Sequence, residues 1–202
     1  MPAESSSPVR YVALGDSYTI GTAVAAGLCW PEQLVARTAT LSLVANLGVN
    51  GYTSADLIRD ELPELTSLAP AFVSLLIGVN DVVQGVPLAT YEANVIEILD
   101  GLLAWLPAER IVTVAIPDYT VTPSGADYGD PGRQHDAIVA SNAVMARLAD
   151  DRGIAFVDIF DISAEAATDR SLVADDGLHP SGAQYARWVE RILPVVEGLL
   201  GR

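Results

Sequence analysis

Lysine is absent from this chain of 202 residues, and cysteine occurs once. All 11 basic side chains are therefore arginines, set against 26 Asp and Glu, for a formal net charge of −15. A surface of that sign repels nucleic acid and anionic membranes, because binding either requires Lys and Arg to displace counterions. It also disfavours polyanionic substrates unless arginines cluster locally; neutral substrates fit it better. The lone Cys29 excludes an intrachain disulfide and a cysteine metal cage. It sits in a Gly-Leu-Cys-Trp-Pro loop with no histidine near it in sequence, so it reads as a packed thiol rather than a nucleophile. No apolar run approaches the roughly 20 residues that a membrane-spanning helix requires, so no stable membrane insertion is expected. Residues 1–8, MPAESSSP, lack both a basic n-region and an apolar h-region. They read as a loose N-terminal segment rather than a signal peptide, and a cytoplasmic location is the default expectation.

What is present is apolar periodicity. Half of the residues are hydrophobic, enough for one globular domain over residues 9–202 with a full core. Near-continuous Val/Ile/Leu-rich runs at Tyr11–Leu14, Leu43–Leu47, Phe72–Ile77, Ile111–Ile116 and Ala155–Ile159 read as strands covered on both faces. Helical patterns fall between them, at Pro31–Ala39, Ser54–Leu62, Leu88–Leu106, Gln134–Asp151 and Ser181–Leu199. Ser54 and Ser181 are placed to cap helices, and Gly153 stands as a glycine stop. Strands alternating with helices imply right-handed crossovers and a parallel sheet of about five strands. The stretch Asp118 to Gly132 is too long for an ordinary connection and reads as a substrate-side loop.

Polar, glycine-bearing turns follow the first three strands, and a fourth stands before the last helix. Gly15-Asp16-Ser17 follows the first, Gly48-Val49-Asn50-Gly51 the second and Gly78-Val79-Asn80-Asp81 the third. Asp175-Asp176-Gly177-Leu178-His179-Pro180 comes beyond the fifth, before the last helix. In a parallel sheet the C-terminal strand ends share one rim, the place where open α/β sheets hold their ligands. Ser17 alone is ambiguous, since serine is also a favoured helix cap. Four such turns converging on one edge favour chemistry.

From Gly15 to beyond His179 the chain resembles GDSL-type esterases of the SGNH hydrolase superfamily. Four blocks occur in the family's order: GDSY, NGYTS, GVND and DGLHP. Tyr18 stands where the family's name has leucine, a departure that bears on substrate shape. The resemblance implies a three-layer α/β/α fold, a flavodoxin-like parallel sheet of order 2-1-3-4-5. It also implies a serine hydrolase cleaving carboxylic esters through an acyl-enzyme, without metal or organic cofactor. Ser17 is then the nucleophile, which as a free hydroxyl needs a base. Of two histidines, His179 is the one at the rim, and Asp176, three residues earlier, is within reach of its other ring nitrogen. The N–H groups of Ser17 and Gly51 and the amide of Asn80 are the candidate oxyanion hole. Without a Cβ, Gly51 lets the backbone approach a ligand closely.

Other polar residues read more simply. Asp16 holds its own loop through backbone hydrogen bonds, Asp81 braces the turn after the third strand, and Asp175 competes with Asp176 for the histidine. His135 reads as a solvated or capping histidine. Trp30, Trp105 and Trp188 are expected in the core; Tyr18, Tyr52, Tyr119 and Tyr128, in loops on the active rim, are expected to line a pocket. The expected substrate is a small-molecule ester with a short acyl or acetyl group on a small or carbohydrate-like alcohol. Lysophospholipids and thioesters belong to the same family range, and an acyltransferase would use the same triad. A non-catalytic α/β binding module is disfavoured because every required residue is present. A flavin or nucleotide binder would need a phosphate-cradling glycine loop after the first strand, and none is there.

Overall fold

In the computed structural model, which describes residues 7–201, five short strands align side by side. They are β1 (Val9–Gly15), β2 (Leu41–Asn46), β3 (Phe72–Leu76), β4 (Ile111–Val114) and β5 (Ala155–Val157). All pairings are parallel and the order is β2-β1-β3-β4-β5. Of the expected loose N-terminal segment, residues 1–6 lie outside the described residues. The last five residues of β1 and all of β3 and β4 are buried, as strands covered on both faces must be.

The helices are α1 (Ser17–Ile20), α2 (Trp30–Ala36), α3 (Ser54–Asp56), α4 (Leu65–Leu68), α5 (Val79–Val83), α6 (Leu88–Leu103), α7 (Pro131–Asp150), α8 (Phe160–Ala164) and α9 (Gly182–Leu200). The helix α2 packs against α9, while α6 packs against α7 and α3. Right-handed crossovers put these two groups on opposite faces of the sheet, giving three layers. Trp30 and Trp188 are fully buried beneath them. Truncating either to alanine removes a large aromatic from a closed core, at a cost of about 3–5 kcal/mol. Among the described residues no helix is long and apolar enough to cross a membrane.

Register positions the site. Gly15 lies level with Leu76 in the β1–β3 ladder, so the turns carrying Ser17 and Asn80 leave the sheet side by side. On the other flank, Leu47 N–H donates to Ala13 at 2.8 Å and Val49 N–H to Gly15 at 3.2 Å. These bonds carry the chain beyond β2 along the same edge and bring Gly51 to it.

Several local expectations are corrected. Ser54 does not cap α3. Thr53 does, in a capping box where Asp56 Oδ2 accepts the Thr53 N–H at 3.0 Å, while Ser54 Oγ donates to Asp81 instead. The helix expected over Ser54–Leu62 is one α-turn followed by a π-helical turn, Leu57–Glu61, and a 3₁₀ turn, Leu62–Glu64. Pro63 has no N–H to continue the ladder. Helix α7 begins at Pro131 rather than Gln134, because Asp130 accepts the Arg133 N–H at 2.8 Å and caps it. Trp105 is 58% exposed rather than in the core: past the end of α6 at Leu103 it is Leu106, one residue on, that turns inward. Ser181 caps α9 as expected, accepting from the Gln184 N–H.

Candidate active site

The turn carrying Ser17 begins where β1 ends. Asp16 caps α1: its Oδ1 accepts the Tyr18 N–H at 2.9 Å, and its carbonyl accepts Thr19 and Ile20, both at 3.0 Å. Capping thus falls to Asp16, and the neighbouring Ser17, 6% exposed, lines a pocket. Two roles the sequence left competing for one residue are divided between two.

Asp176 and His179 share a tight turn before α9. Oδ1 of Asp176 accepts the N–H groups of Leu178 at 2.9 Å and His179 at 3.0 Å; Oδ2 lies 2.5 Å from His179 Nδ1. Partial burial pushes the Asp176 carboxyl up, but the imidazole contact and the two amides outweigh it and hold it below its ordinary value. With Nδ1 engaged, Nε2 is the nitrogen left to face a reacting group. The competition for the histidine goes to Asp176 rather than Asp175, because it is Oδ2 of Asp176 that meets Nδ1. The ring of Tyr18 stands 5.0 Å from that of His179, forming a wall beside it. No hydrogen bond joins Ser17 Oγ to His179 among the described residues, although both line one pocket. Such contacts are often long without substrate and tighten when it binds.

Donors converge on the same pocket. Neither the Ser17 nor the Gly51 N–H donates a hydrogen bond among the described residues. Gly51 has φ +83, a left-handed conformation that glycine adopts without cost, and a Cβ placed there would meet nothing within 4 Å. The residue is therefore demanded by backbone shape and opens onto free space. Asn80 Nδ2 donates to the Tyr52 carbonyl at 2.9 Å, which fixes the amide and leaves its second proton available. Asp81, buried, accepts the Ser54 N–H at 2.8 Å and the Ser54 hydroxyl at 2.5 Å, bracing this turn against α3.

The pocket has a volume of about 210 Å³, with Ser17, Tyr18, Gly51, Asn80, Tyr119 and His179 in its walls. Asn50, Val79, Val83, Tyr128 and Leu178 complete it. Tyr52 does not line it: its side chain faces Asp60, and its carbonyl serves the site by accepting from Asn80. Val83 and Tyr128 are also walls of a second, larger groove of about 600 Å³, which runs between Asp81–Tyr91 and Tyr128–Ser141. His135 is neither free nor a cap. Its Nδ1 lies 2.8 Å from Oδ2 of buried Asp118, tying α7 to the loop that supplies Tyr119 and Tyr128. Burial pushes the Cys29 thiol up to about 12, so at neutral pH it is no nucleophile.

Comparisons follow the same outline. No curated protein matches the sequence significantly. Among solved structures, a lipolytic protein of the G-D-S-L family from Veillonella parvula superposes with a TM-score of 0.76 at 18% identity, covering 92% of this chain and 97% of that one. Axe2, an acetylxylan esterase from Geobacillus stearothermophilus, gives 0.71 at 20% identity over 97% and 95%. An extracellular lipase from Streptomyces rimosus gives 0.70 at 21% over 95% and 99%. These likenesses establish the shared fold, and a family model described as GDSL-like Lipase/Acylhydrolase matches residues 13–187. The chain belongs to the GDSL-like lipase/acylhydrolase family, a family of carboxylic ester hydrolases.

Proposed function

We propose that the protein hydrolyses esters of short acyl groups through an acyl-enzyme formed on Ser17. The observation that carries this reading is the Asp176–His179 pair, 2.5 Å apart, lining one pocket with Ser17, Gly51 and Asn80. Ser17 Oγ attacks the ester carbonyl carbon and gives its proton to Nε2 of His179. Asp176 holds the imidazole in the tautomer with a proton on Nδ1 and stabilises the imidazolium. The oxyanion of the tetrahedral intermediate accepts from Ser17 N–H, Gly51 N–H and Asn80 Nδ2. Collapse breaks the carbon–oxygen bond to the alcohol, which leaves with the proton from His179. Water, deprotonated by the same imidazole, then attacks the acyl-Ser17 carbonyl; the acyl–Oγ bond breaks, Ser17 Oγ takes the proton back from His179, and the carboxylic acid departs.

Pocket size supports a short acyl group, since about 210 Å³ is below the ~300–1,000 Å³ of sites that enclose drug-sized ligands. The adjoining groove offers Asp130, Arg133 and Asp136 beside Val86 and Leu88, groups of both signs next to apolar surface. Such a mixture suits a neutral hydroxylated alcohol. Hydrolysis of p-nitrophenyl acetate, butyrate and octanoate by wild type and Ser17→Ala tests both parts. Acetate or butyrate should have the highest kcat/KM, and Ser17→Ala should fall to background. A preference for octanoate would assign the groove to the acyl chain instead and refute the short-acyl reading.

A further inference from the structure

Two carboxyl groups lie under the nucleophile turn, and the reaction above uses neither. Glu61, 2% exposed, ends the π-helical turn 57–61, and its Oε2 accepts the Gly15 N–H at 2.9 Å. Asp16, fully buried, takes the Tyr18 N–H through Oδ1. Between them these carboxyls hold the amides on either side of Ser17. One oxygen of each, Glu61 Oε1 and Asp16 Oδ2, is buried without a hydrogen-bond partner among the described residues. An ionised carboxylate with an unpartnered buried oxygen is so unfavourable that a proton usually neutralises it.

Among the described residues, no cation acts on either carboxyl. The charged groups acting on Glu61 are Asp16 and Asp60, and the one acting on Asp16 is Asp81. Tyr18, Tyr91 and Tyr185 also face Asp16, and burial holds each phenol above its ordinary range, so all three are neutral. Gly15 itself has little room to shift. Its φ is +151, and a Cβ there would collide with the main-chain oxygen of Leu76. A π-helical turn that aims one side chain inward at such a place is a common feature of functional sites.

We propose that Glu61 is a positioning residue: a neutral carboxylic acid, protonated on Oε1, that holds Gly15 and with it the Ser17 hydroxyl and N–H, and whose ionisation in alkali loosens the turn. This inference rests on Ser17 being the nucleophile. Burial pushes the Glu61 carboxyl up to about 9; the Gly15 N–H opposes the shift, and Asp16 and Asp60 add to it. Burial also pushes Asp16 up, to about 7.

The test is kcat against pH for wild type, Glu61→Gln and Glu61→Ala, with spontaneous hydrolysis subtracted using Ser17→Ala. Wild type should lose activity across about pH 9 as Glu61 gives its proton to solvent. Glu61→Gln keeps an uncharged acceptor for Gly15, so it should retain neutral-pH activity and lose the alkaline fall. Glu61→Ala should lower kcat by about 10–100-fold with KM little changed, the usual consequence of a misplaced nucleophile. An alkaline fall that persists unchanged in Glu61→Gln overturns the proposal. Infrared spectra of the carboxyl region read the same proton without substrate, so they stand even if no ester is turned over. A protonated-carboxyl band at neutral pH that disappears across about pH 9 and is missing from Glu61→Gln supports the assignment. Should Glu61→Gln fail to fold, the wild-type band decides: its titration across about pH 9 supports the proposal, and its absence overturns it.

Discussion

Asp176 bonds to His179 twice, through Oδ2 to the ring nitrogen at 2.5 Å and through Oδ1 to the main-chain N–H at 3.0 Å. The same carboxylate therefore shapes the turn and orients the ring, and a spacing of three residues is what makes both contacts possible. A rigid local device of this kind leaves Nε2 pointing away from Asp176, the requirement for a base that serves Ser17.

Asp176→Asn separates the two contacts, because the amide still accepts from the main chain but cannot stabilise an imidazolium. We expect kcat to fall by about 10²–10⁴-fold with Tm nearly unchanged. Steady-state kinetics beside thermal melting checks this. Unaltered kcat would mean that another group orients His179.

Asn80→Ala removes one of the three proposed oxyanion donors and the bond to Tyr52 O. A loss of about 10²–10³-fold in kcat with KM within a few-fold is expected, since the oxyanion exists only on the path to and from the tetrahedral intermediate. If KM rises and kcat is unchanged, Asn80 binds ground-state substrate and the oxyanion assignment is wrong.

At Gly51 the cost is conformational and not steric, as φ is +83 and a Cβ would have open space. Gly51→Ala should lose about 1–2 kcal/mol of stability, the penalty for a left-handed L-residue. Chemical denaturation measures it; a loss much larger than this would mean that the substitution disturbs packing the open space does not account for.

The turn carrying Ser17 makes stability depend on pH in an unusual direction. Folding raises the Glu61 carboxyl from its ordinary 4.5 to about 9, so in that window the folded protein holds a proton the unfolded chain has released. Stability must therefore fall as pH rises from about 4.5 towards about 9, by up to about 1.4 kcal/mol per pH unit from this group. Asp176 works the other way: its carboxyl is lowered on folding, so its contribution is lost as pH falls through that lowered value. Thermal melts across this range should show Tm declining with pH in wild type and a shallower decline in Glu61→Gln. Parallel curves for the two proteins would contradict the assignment of the proton to Glu61.

Much of this arrangement is legible in the sequence, because Ser17, Gly51 and Asn80 each sit in a short polar turn just past an apolar run, and Asp176 and His179 share one before the last helix. Parallel pairing then brings the first three turns to one edge, whatever the side chains in between. What resists reading is side-chain direction, which tertiary packing decides. Tyr52 is in the right turn but its side chain faces Asp60, and Trp105 points outward while Leu106, the next residue, takes the core position. Thr53 outcompetes Ser54 as a cap because Asp56 completes a reciprocal pair and Asp81 engages the serine. Glu61 is the deepest of these, since Arg59-Asp60-Glu61 looks like a solvated charge run. It lies four residues after buried Leu57, on the inward face of the turn, and so passes beneath β1 to Gly15. His135 likewise gains a role only because the loop after β4 brings Asp118 back to it.

The measurement that tests the central claim most directly is covalent capture of the nucleophile. Wild type and Ser17→Ala are treated with a fluorophosphonate, weighed as intact proteins and mapped by peptide mass spectrometry. A single adduct on Ser17, absent from Ser17→Ala, is the result predicted. An adduct on another residue, or equal labelling of the two proteins, would contradict the assignment of Ser17 as the attacking group.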